Sequence, residues 1–569
     1  MSKLVKFFIG LLLFCVILML AAYYAVQKDS PPSKQVFINA NVLTMDPQNS
    51  VAQAIAIENK RIVAVGTNQQ IKALIEQDTV IHDLKGKTLL PGFVDAHSHF
   101  PGLGMGQLTV DLNSPPIGDI ESIQGIISRL KGEVGKIKDG KFLIGVGYDD
   151  SLLVEKRHVN RDDLDLVSKT KPVFLMHVSG HIVAVNSKAL EIAGLNSESV
   201  APKGGKYVRD ETGRLTGVLE ETARLKMLKL AFDLSFFDFI NMVEQGSSEY
   251  AAAGVTTAQS GLTHEPQIQG YSLIDKLGLL PQRLVIWPDM AAGKRWANNE
   301  FDPQKFSTDN VKIGAVKLVA DGSIQGFTGY LGQAYHSHAP AHGDEDYAGY
   351  PSMDQLKLNE AVLAMHQKGL QVAIHANGDA AIDMVINAVK NAQTQAPRED
   401  ARHIVIHSQM ATEKQLRQMK AWGLTPSFFT SHTYYWGDRH RDIFIGPERA
   451  KEISPAKSAV DIGLPFSFHL DTPVVPMSPL FAVYSGVNRV TSSGKVLGEH
   501  QRISVMQSLR SVTIDAAWQM FLDKEIGSIE VGKQADLVIL DANPLDRPDS
   551  IDKINVLQTF VAGLSIFKR

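Results

Sequence analysis

The chain's 569 residues, 44% of them apolar, exceed one minimal domain and suffice for a large buried core. Its 57 basic and 61 acidic side chains leave a net charge of -4 with no long basic run, which argues against nucleic acid as a partner. The single cysteine, Cys15, excludes disulfides and cysteine knuckles, so any metal must be held by nitrogen and oxygen.

Lys3 and Lys6 precede an uncharged apolar run over residues 7–26, long enough for a membrane-spanning helix. Residues 1–30 are therefore expected to form a signal-anchor, a single transmembrane helix in the cytoplasmic membrane with the rest of the chain outside. Cleavage near Ala21, Ala22 or Ala25 would instead give an exported protein. After the polar linker QKDSPPSK, the segments QVFINANVLTM and AQAIAIENKRIVAVG alternate apolar and polar residues at period two, as antiparallel strands do. GSIEVGKQADLVILDANP and INVLQTFVAGLSIF near the other end have the same texture. Each segment is too short to bury a core alone, so residues 31–91 and 510–569 are expected to combine into one β-sandwich domain.

Between them, over 92–509, strand-like GFVDAH, GVTTAQ, RLVIWPDM, IGAVKLVA, LQVAIHA, HIVIHS, LTPSFF and LPFSFHLD mostly alternate with helical stretches such as TEKQLRQMKAWG. Eight βα repeats predict an α/β fold, a closed (β/α)8 TIM barrel of parallel strands. Roughly 150 residues separate the first two strands, far more than a βα connection needs, so an insertion at about 105–230 is read as a subdomain or lid over the barrel mouth.

Six residues that bind metals fall at or in these strands: His97, His99, Lys317, His375, His407 and Asp471. His97 and His99 are two apart at a strand end and point to one face, where both can ligate one ion. His336, His338 and His342 in YHSHAPAH have no strand leading into them and are read as loop residues. His375 and His407 end successive βα units and project to the same mouth, and Asp471 ends the last strand, where a carboxylate can bind metal and accept a proton from water. Lys317 lies in an apolar strand, where burial lowers its pKa and leaves an amine able to add carbon dioxide. Asp95 and Asp379 are assigned supporting or capping roles, and His432, Tyr434, Tyr435 and Trp436 are expected to wall the pocket near the leaving group.

PGFVDAHSHF, the lysine in VKLVADGS, HANGDAAID, HSQ, HLDTPV and GSIEVGKQADLVILD together resemble the amidohydrolase superfamily. The similarity is greatest to amidohydrolase family 3, which includes N-substituted formamide deformylases, and runs from about residue 35 to the C-terminus. The resemblance implies a distorted barrel beside a β-sandwich, and hydrolysis of an amide-type carbon–nitrogen bond, other than a peptide bond, in a small molecule. It implies one or two divalent ions at the six residues, Zn2+ foremost with manganese, iron or cobalt as alternatives, bridged by a carboxylated Lys317. It marks His181, in GH...NSKAL, as a substrate contact. Because dimers are common for the fold, a homodimer is a further expectation. His469 departs from the superfamily's common serine there, which bears on substrate rather than on metal. A silent binding module would lack a ligand, and none is missing; a deaminase or isomerase on the same scaffold stays open, since only the pocket would differ.

Overall fold

The two ends of the chain meet in one sheet. Strand Leu537–Leu540 pairs antiparallel with Thr88–Pro91, placing Val538 opposite Leu90 and Ile539 opposite Leu89. That pairing joins Val556–Val561 and Leu564–Lys568 to Asn41–Leu43 and Val51–Ala52 in a six-stranded sheet. A four-stranded sheet lies against it, with Lys34–Ile38 between antiparallel Ala54–Glu58 and parallel Val80–Asp83. Phe37, Ile55 and Ile57 pack on Leu89, Leu537 and Phe560 of the larger sheet. The alternation seen in the sequence has a second use here. Ala54 and Ala56 present the opposite face to Ile71 of helix Asn68–Lys72, so the AIAI run is buried on both sides, large side chains toward the sheet and small ones toward the helix. The structure, a computed structural model, describes residues 31–337 and 345–569.

The interior is built from parallel strands: β1 (Phe93–Val94), β2 (Val255–Thr263), β3 (Arg283–Pro288), β4 (Val311–Ile313), β5 (Val316–Val319), β6 (Val372–Ala376), β7 (His403–His407), β8 (Leu424–Phe428) and β9 (Ser467–Phe468). They form a four-stranded sheet, β1 to β4, and a five-stranded sheet, β5 to β9, each in sequential order. Gly314 and Ala315 separate β4 from β5, so these pieces stand for one of the eight strands expected from the sequence. Helices Glu265–Lys276, Met290–Ala297, Gln355–Gln367, Asp379–Gln395, Glu413–Ala421 and Ala456–Asp461 cover the sheets. Their starts are chemically marked: Asp289, Asp354 and Thr412 accept from the first-turn N–H groups of Ala292, Lys357 and Gln415. Strands β6, β7 and β8 are buried along their whole length, as parallel strands covered on both faces must be.

The insertion has its own six-stranded sheet, from Val110–Asp111 to Leu215–Glu221. Its core divides in two: Leu112, Ile126, Leu130 and Leu164 on one face, Phe174, Val183, Leu219 and Met227 on the other.

The expectation of a membrane anchor is corrected. No helix among the described residues is long and apolar enough to cross a membrane. The 17-residue helices Phe236–Ala252 and Asp379–Gln395 carry polar faces, with Glu244 and Glu249 in the first and Asp383 and Lys390 in the second. Residues 1–30, to which the anchor was assigned, lie outside the described residues, as do His338 and His342.

One buried ion pair ties the parallel strands to the terminal sheet. Arg283 of β3 pairs with Asp536, whose Oδ1 also accepts from Ala562 N at 2.8 Å. Both are nearly inaccessible, so removing one partner strands a buried charge. Asp536→Ala is expected to lower stability by about 3–5 kcal/mol in denaturant unfolding, and replacing both partners with leucine should cost much less.

Candidate metal centre

The ends of the parallel strands present their side chains to one place. His97 and His99 follow β1, Lys317 lies within β5, His375 within β6, His407 ends β7 and Asp471 follows β9. Three residues there have left-handed backbone: His407 at φ 71, Ser408 at φ 45 and Asp471 at φ 54. Such residues cost of order 1 kcal/mol each and persist where surrounding structure enforces them.

All six predicted residues come together. Asp471 Oδ1 is 3.3 Å from both His97 Nε2 and His99 Nε2, and Oδ2 is 4.0 Å from His407 Nε2. Lys317 Nζ lies 3.0 Å from His97 Nε2, and His407 Nε2 lies 2.9 Å from His375 Nδ1.

The outer nitrogens of the histidines are held from behind. Gln259 Oε1 accepts from Ser98 N at 2.8 Å, which fixes that amide's orientation, so His97 donates its Nδ1–H to the same oxygen at 3.1 Å. His99 Nδ1 donates to Gly261 O at 3.1 Å and His375 Nε2 to Gly322 O at 3.0 Å, because a carbonyl can only accept. His97 Nε2, His99 Nε2 and His375 Nδ1 therefore face inward as lone pairs. His407 presents Nε2 in the same way when its Nδ1–H donates to His469 Nε2 at 3.1 Å, and His469 Nδ1 then donates to Ser427 Oγ at 2.9 Å. Asp321, whose carboxylate accepts from the N–H groups of Tyr330, Asn377 and Gly378, lies 3.5 Å from His375 Nε2.

Burial sets the charges. It holds the imidazoles of His97, His375 and His407 well below their usual pKa, hence neutral, and pushes the Lys317 amine down to about 7. Burial opposes ionisation of Asp471 too; contact with His99 and positive charge at His97 and His407 are what would hold its carboxyl well below the usual carboxylate range.

This donor set fits a divalent ion. Asp471 Oδ1 is buried and makes no hydrogen bond, although two imidazole nitrogens stand 3.3 Å away. Ligand atoms about 2.0–2.1 Å from a tetrahedral ion lie about 3.3–3.4 Å apart, so these groups are spaced as co-ligands. His97, His407 and Asp471 each offer a ligand atom within 4.8 Å of the others.

A cavity of about 560 Å³ opens onto the cluster, and all six residues and His181 line it. The expected aromatic wall does not. Trp436 is buried and donates Nε1–H to Asp149 Oδ2 at 3.1 Å, while Tyr434 and Tyr435 pack on Phe481. His432 is also buried, its ring 4.1 Å from Phe429 and 6.3 Å from His407, and it does not line the cavity. The apolar wall is supplied instead by Leu103, Met105, Val146, Met176, Leu228 and Phe232, which lie in or beside the insertion. Asp95 supports the histidine loop, accepting from Ser98 Oγ and from Gln259 N at 3.1 Å, and Asp379 accepts from Gly332 N at 2.8 Å. His336 lies in a loop away from the cavity.

His469 was not among the predicted site residues. The signal for it was parity, because 469 and 471 stand two apart at a strand end as 97 and 99 do.

The family profile described as "Amidohydrolase family" matches residues 80–567. The chain belongs to the amidohydrolase family. It is 27% identical to the N-substituted formamide deformylase of Arthrobacter pascens over 94% of this chain and 98% of that one. It is 26% identical to the putative amidohydrolase YtcJ of Bacillus subtilis, over 94% of this chain and all (100%) of the relative. An uncharacterized metal-dependent hydrolase from Pyrococcus horikoshii shares the fold, with a TM-score of 0.73 at 24% identity over 91% of this chain and 99% of that one. This amidohydrolase is thus a mixed α/β hydrolase acting on non-peptide carbon–nitrogen bonds, in a metal-dependent family.

His469 hydrogen-bonds His407 and packs edge-on against His97, its ring 5.4 Å away, behind the inward-facing nitrogens, which makes it a positioning residue. His469→Ala is expected to weaken metal affinity about 10–100-fold in chelator competition, as loss of an outer hydrogen-bond partner does. Unchanged affinity would remove His469 from the site.

Proposed function

We propose that this amidohydrolase cleaves the amide bond of a small, neutral or weakly charged substrate whose nitrogen carries an apolar substituent. Water adds across the C–N bond and leaves a carboxylic acid and an amine. One observation carries the reading: a carboxylate oxygen, Asp471 Oδ1, buried without a hydrogen bond among inward-facing imidazole nitrogens on the wall of a cavity. His97, His99, His375, His407 and Asp471 would hold one or two divalent ions, Zn2+ foremost. Lys317, buried with its pKa brought to about 7, is unprotonated often enough to add carbon dioxide, losing one proton to become an anionic carbamate that would offer oxygen ligands to such ions. When bound, such an ion supplies Lewis-acid polarisation of a carbonyl and a lowered pKa for water. Asp471 accepts the attacking water's proton and returns it to the leaving nitrogen. His181, held by Glu221 Oε2 at 2.8 Å with its ring 4.9 Å from that of His375, faces the substrate.

The apolar lining from the insertion suits the nitrogen substituent, and Arg224, the one arginine among the described residues on the wall, suits a carbonyl or other polar end rather than a phosphate, which a cluster would clamp. We also infer that β1 to β9 close into a distorted (β/α)8 barrel at 92–509, with 31–91 and 510–569 as its companion sandwich and about 105–230 as its lid. The sequential order of the parallel strands and the shared fold with the Pyrococcus protein support this.

The zinc-loaded protein should turn over N-substituted formamides or other N-alkyl and N-aryl amides faster than phosphotriesters, lactones or aminopurines. Ammonia release from aminopurines exceeding every amide would make it a deaminase instead.

Asp471→Asn should keep most of the metal and lose about 10²–10⁴-fold in kcat, because an amide neither takes nor returns the proton. His97→Ala should lose metal as well. Unchanged kcat in Asp471→Asn would place the proton carrier elsewhere.

A further inference from the structure

The turn that begins the cavity's apolar wall carries a cation with an unused donor. Strand Leu215–Glu221 of the inserted sheet ends on Glu221, whose backbone has φ 51 and opens the turn Thr222–Arg224, followed by helix Leu225–Ala231. Positive φ at a residue with a side chain is costly and persists where its surroundings enforce it. Here they do: Glu221 N donates to His181 O at 2.9 Å, and Gly205 packs so closely on the turn that a Cβ there would meet Ala223 N at 2.4 Å. Arg224, Leu228 and Phe232 then follow at a spacing of four, so they share one helical face, and all three line the cavity. The stripe spans about 12 Å at the helical rise of 1.5 Å per residue. Its charged end lies toward the strand ends, because Glu221, three residues before Arg224, holds His181 Nδ1 at 2.8 Å, and the His181 ring is 4.9 Å from that of His375.

Arg224 is the member of this stripe whose hydrogen bonding is incomplete. Burial opposes its charge, and Glu221 is the carboxylate whose field sustains it. Yet Glu221 Oε2 is taken by His181, Glu221 Oε1 makes no hydrogen bond, and Arg224 Nε is buried with no hydrogen-bond partner among the described residues. The two charges therefore balance without touching, and Nε–H is left without an acceptor. A guanidinium stays protonated in a protein and presents its donors as a flat fork, which matches the two oxygens of a carboxylate. A single carbonyl oxygen would satisfy only one side of that fork.

We propose that Arg224 determines specificity by binding a carboxylate of the substrate through Nε–H and one Nη–H, with the substrate's apolar group laid along Leu228 and Phe232. The substrate class is then an amide that bears one carboxylate close to the scissile carbon–nitrogen bond and one apolar substituent. This assignment rests on the amide-hydrolase reading and narrows its substrate to a monoanion.

Two measurements on the Zn2+-loaded protein test it. In calorimetric titration, 3-phenylpropionate, which has no bond to cleave, should bind the unmodified protein about 10–100-fold more tightly than it binds Arg224→Gln, the gain expected of hydrogen bonds to a charged group. Arg224→Lys should recover part of that gain, and the neutral 3-phenylpropionamide should show no such loss. In turnover, kcat/KM should favour N-formylphenylalanine over N-formylphenylalaninamide in the unmodified protein, and the preference should vanish in Arg224→Gln, chiefly through KM. Equal binding of 3-phenylpropionate to the unmodified protein and to folded Arg224→Gln overturns the assignment. If the variant misfolds, crystals of the unmodified protein soaked with 3-phenylpropionate decide: carboxylate oxygens on Arg224 are expected, and a carboxylate seated only beside Asp471 overturns it. Binding through Arg224 with no amide turned over would keep the carboxylate site and remove the hydrolase reading, whereas amide turnover indifferent to Arg224 would do the reverse.

Discussion

The site depends on one electrostatic constraint: the buried Asp471 carboxyl needs positive charge beside it to stay ionised, and burial keeps the imidazoles of His97 and His407 uncharged. Taking a carboxylate out of water without a partner costs several kcal/mol. The usual remedy, a protonated imidazole, is opposed by burial, which keeps His97, His375 and His407 neutral, and the single protons of His97, His99 and His375 are spent outward on Gln259, Gly261 and Gly322. What remains inward is lone pairs and negative charge, an arrangement whose natural complement is a cation from outside the chain. The spacing of these groups at 3.3 Å around Asp471 Oδ1 follows from the same demand.

Holding such a cluster open requires a frame that does not relax. The parallel strands provide it, since β6, β7 and β8 have no exposed residue and cannot rotate a side chain away without opening core. Left-handed backbone at His407, Ser408 and Asp471 is tolerated because their neighbours fix them: Asp471 N donates to His97 O at 3.2 Å and Ser408 N to Ala376 O at 3.1 Å. The Asp321 carboxylate works the same way on the other side, gathering the N–H groups of Tyr330, Asn377 and Gly378 beside His375. Burial lifts its pKa to about 7 despite those donors, so its place there is held by hydrogen bonds and not by a charge partner.

The six clustered residues were legible in the sequence because each ends, follows or lies in a short apolar run, and parallel strands aim such positions at one mouth. Joining of the two chain ends was legible for a related reason, since neither end has enough apolar surface to fold alone. The cavity wall was not. SHTYYWGD looks like a pocket lining, but Trp436 finds its hydrogen-bond partner in Asp149, 287 residues earlier, and is drawn into the core. Nothing local announces that contact. The wall comes from Met105, Met176 and Phe232, residues whose patterns mark them only as apolar. His469 escaped because its role lies behind His407, where a histidine reads as ordinary core. The period-two alternation of the first strands was read correctly as strand but not as burial on both faces, which depends on helix Asn68–Lys72 lying over the alanines.

The insertion supplies much of the cavity's apolar lining while the strand ends supply the clustered donors. Asp149 accepts from Trp436 and Arg439 at once, so the inserted sheet is pinned to the segment after β8 by a buried, charge-assisted contact. Asp150, next in the chain, turns the other way, toward His158 and His177. Two adjacent carboxylates thus divide the labour: one couples the insertion to the segment after β8, the other pairs with histidines of the insertion, of which His177 lines the cavity. A wall anchored in this way can change its apolar side chains without disturbing His97, His407 or Asp471, because its fixed contacts run through Asp149 and not through the cluster.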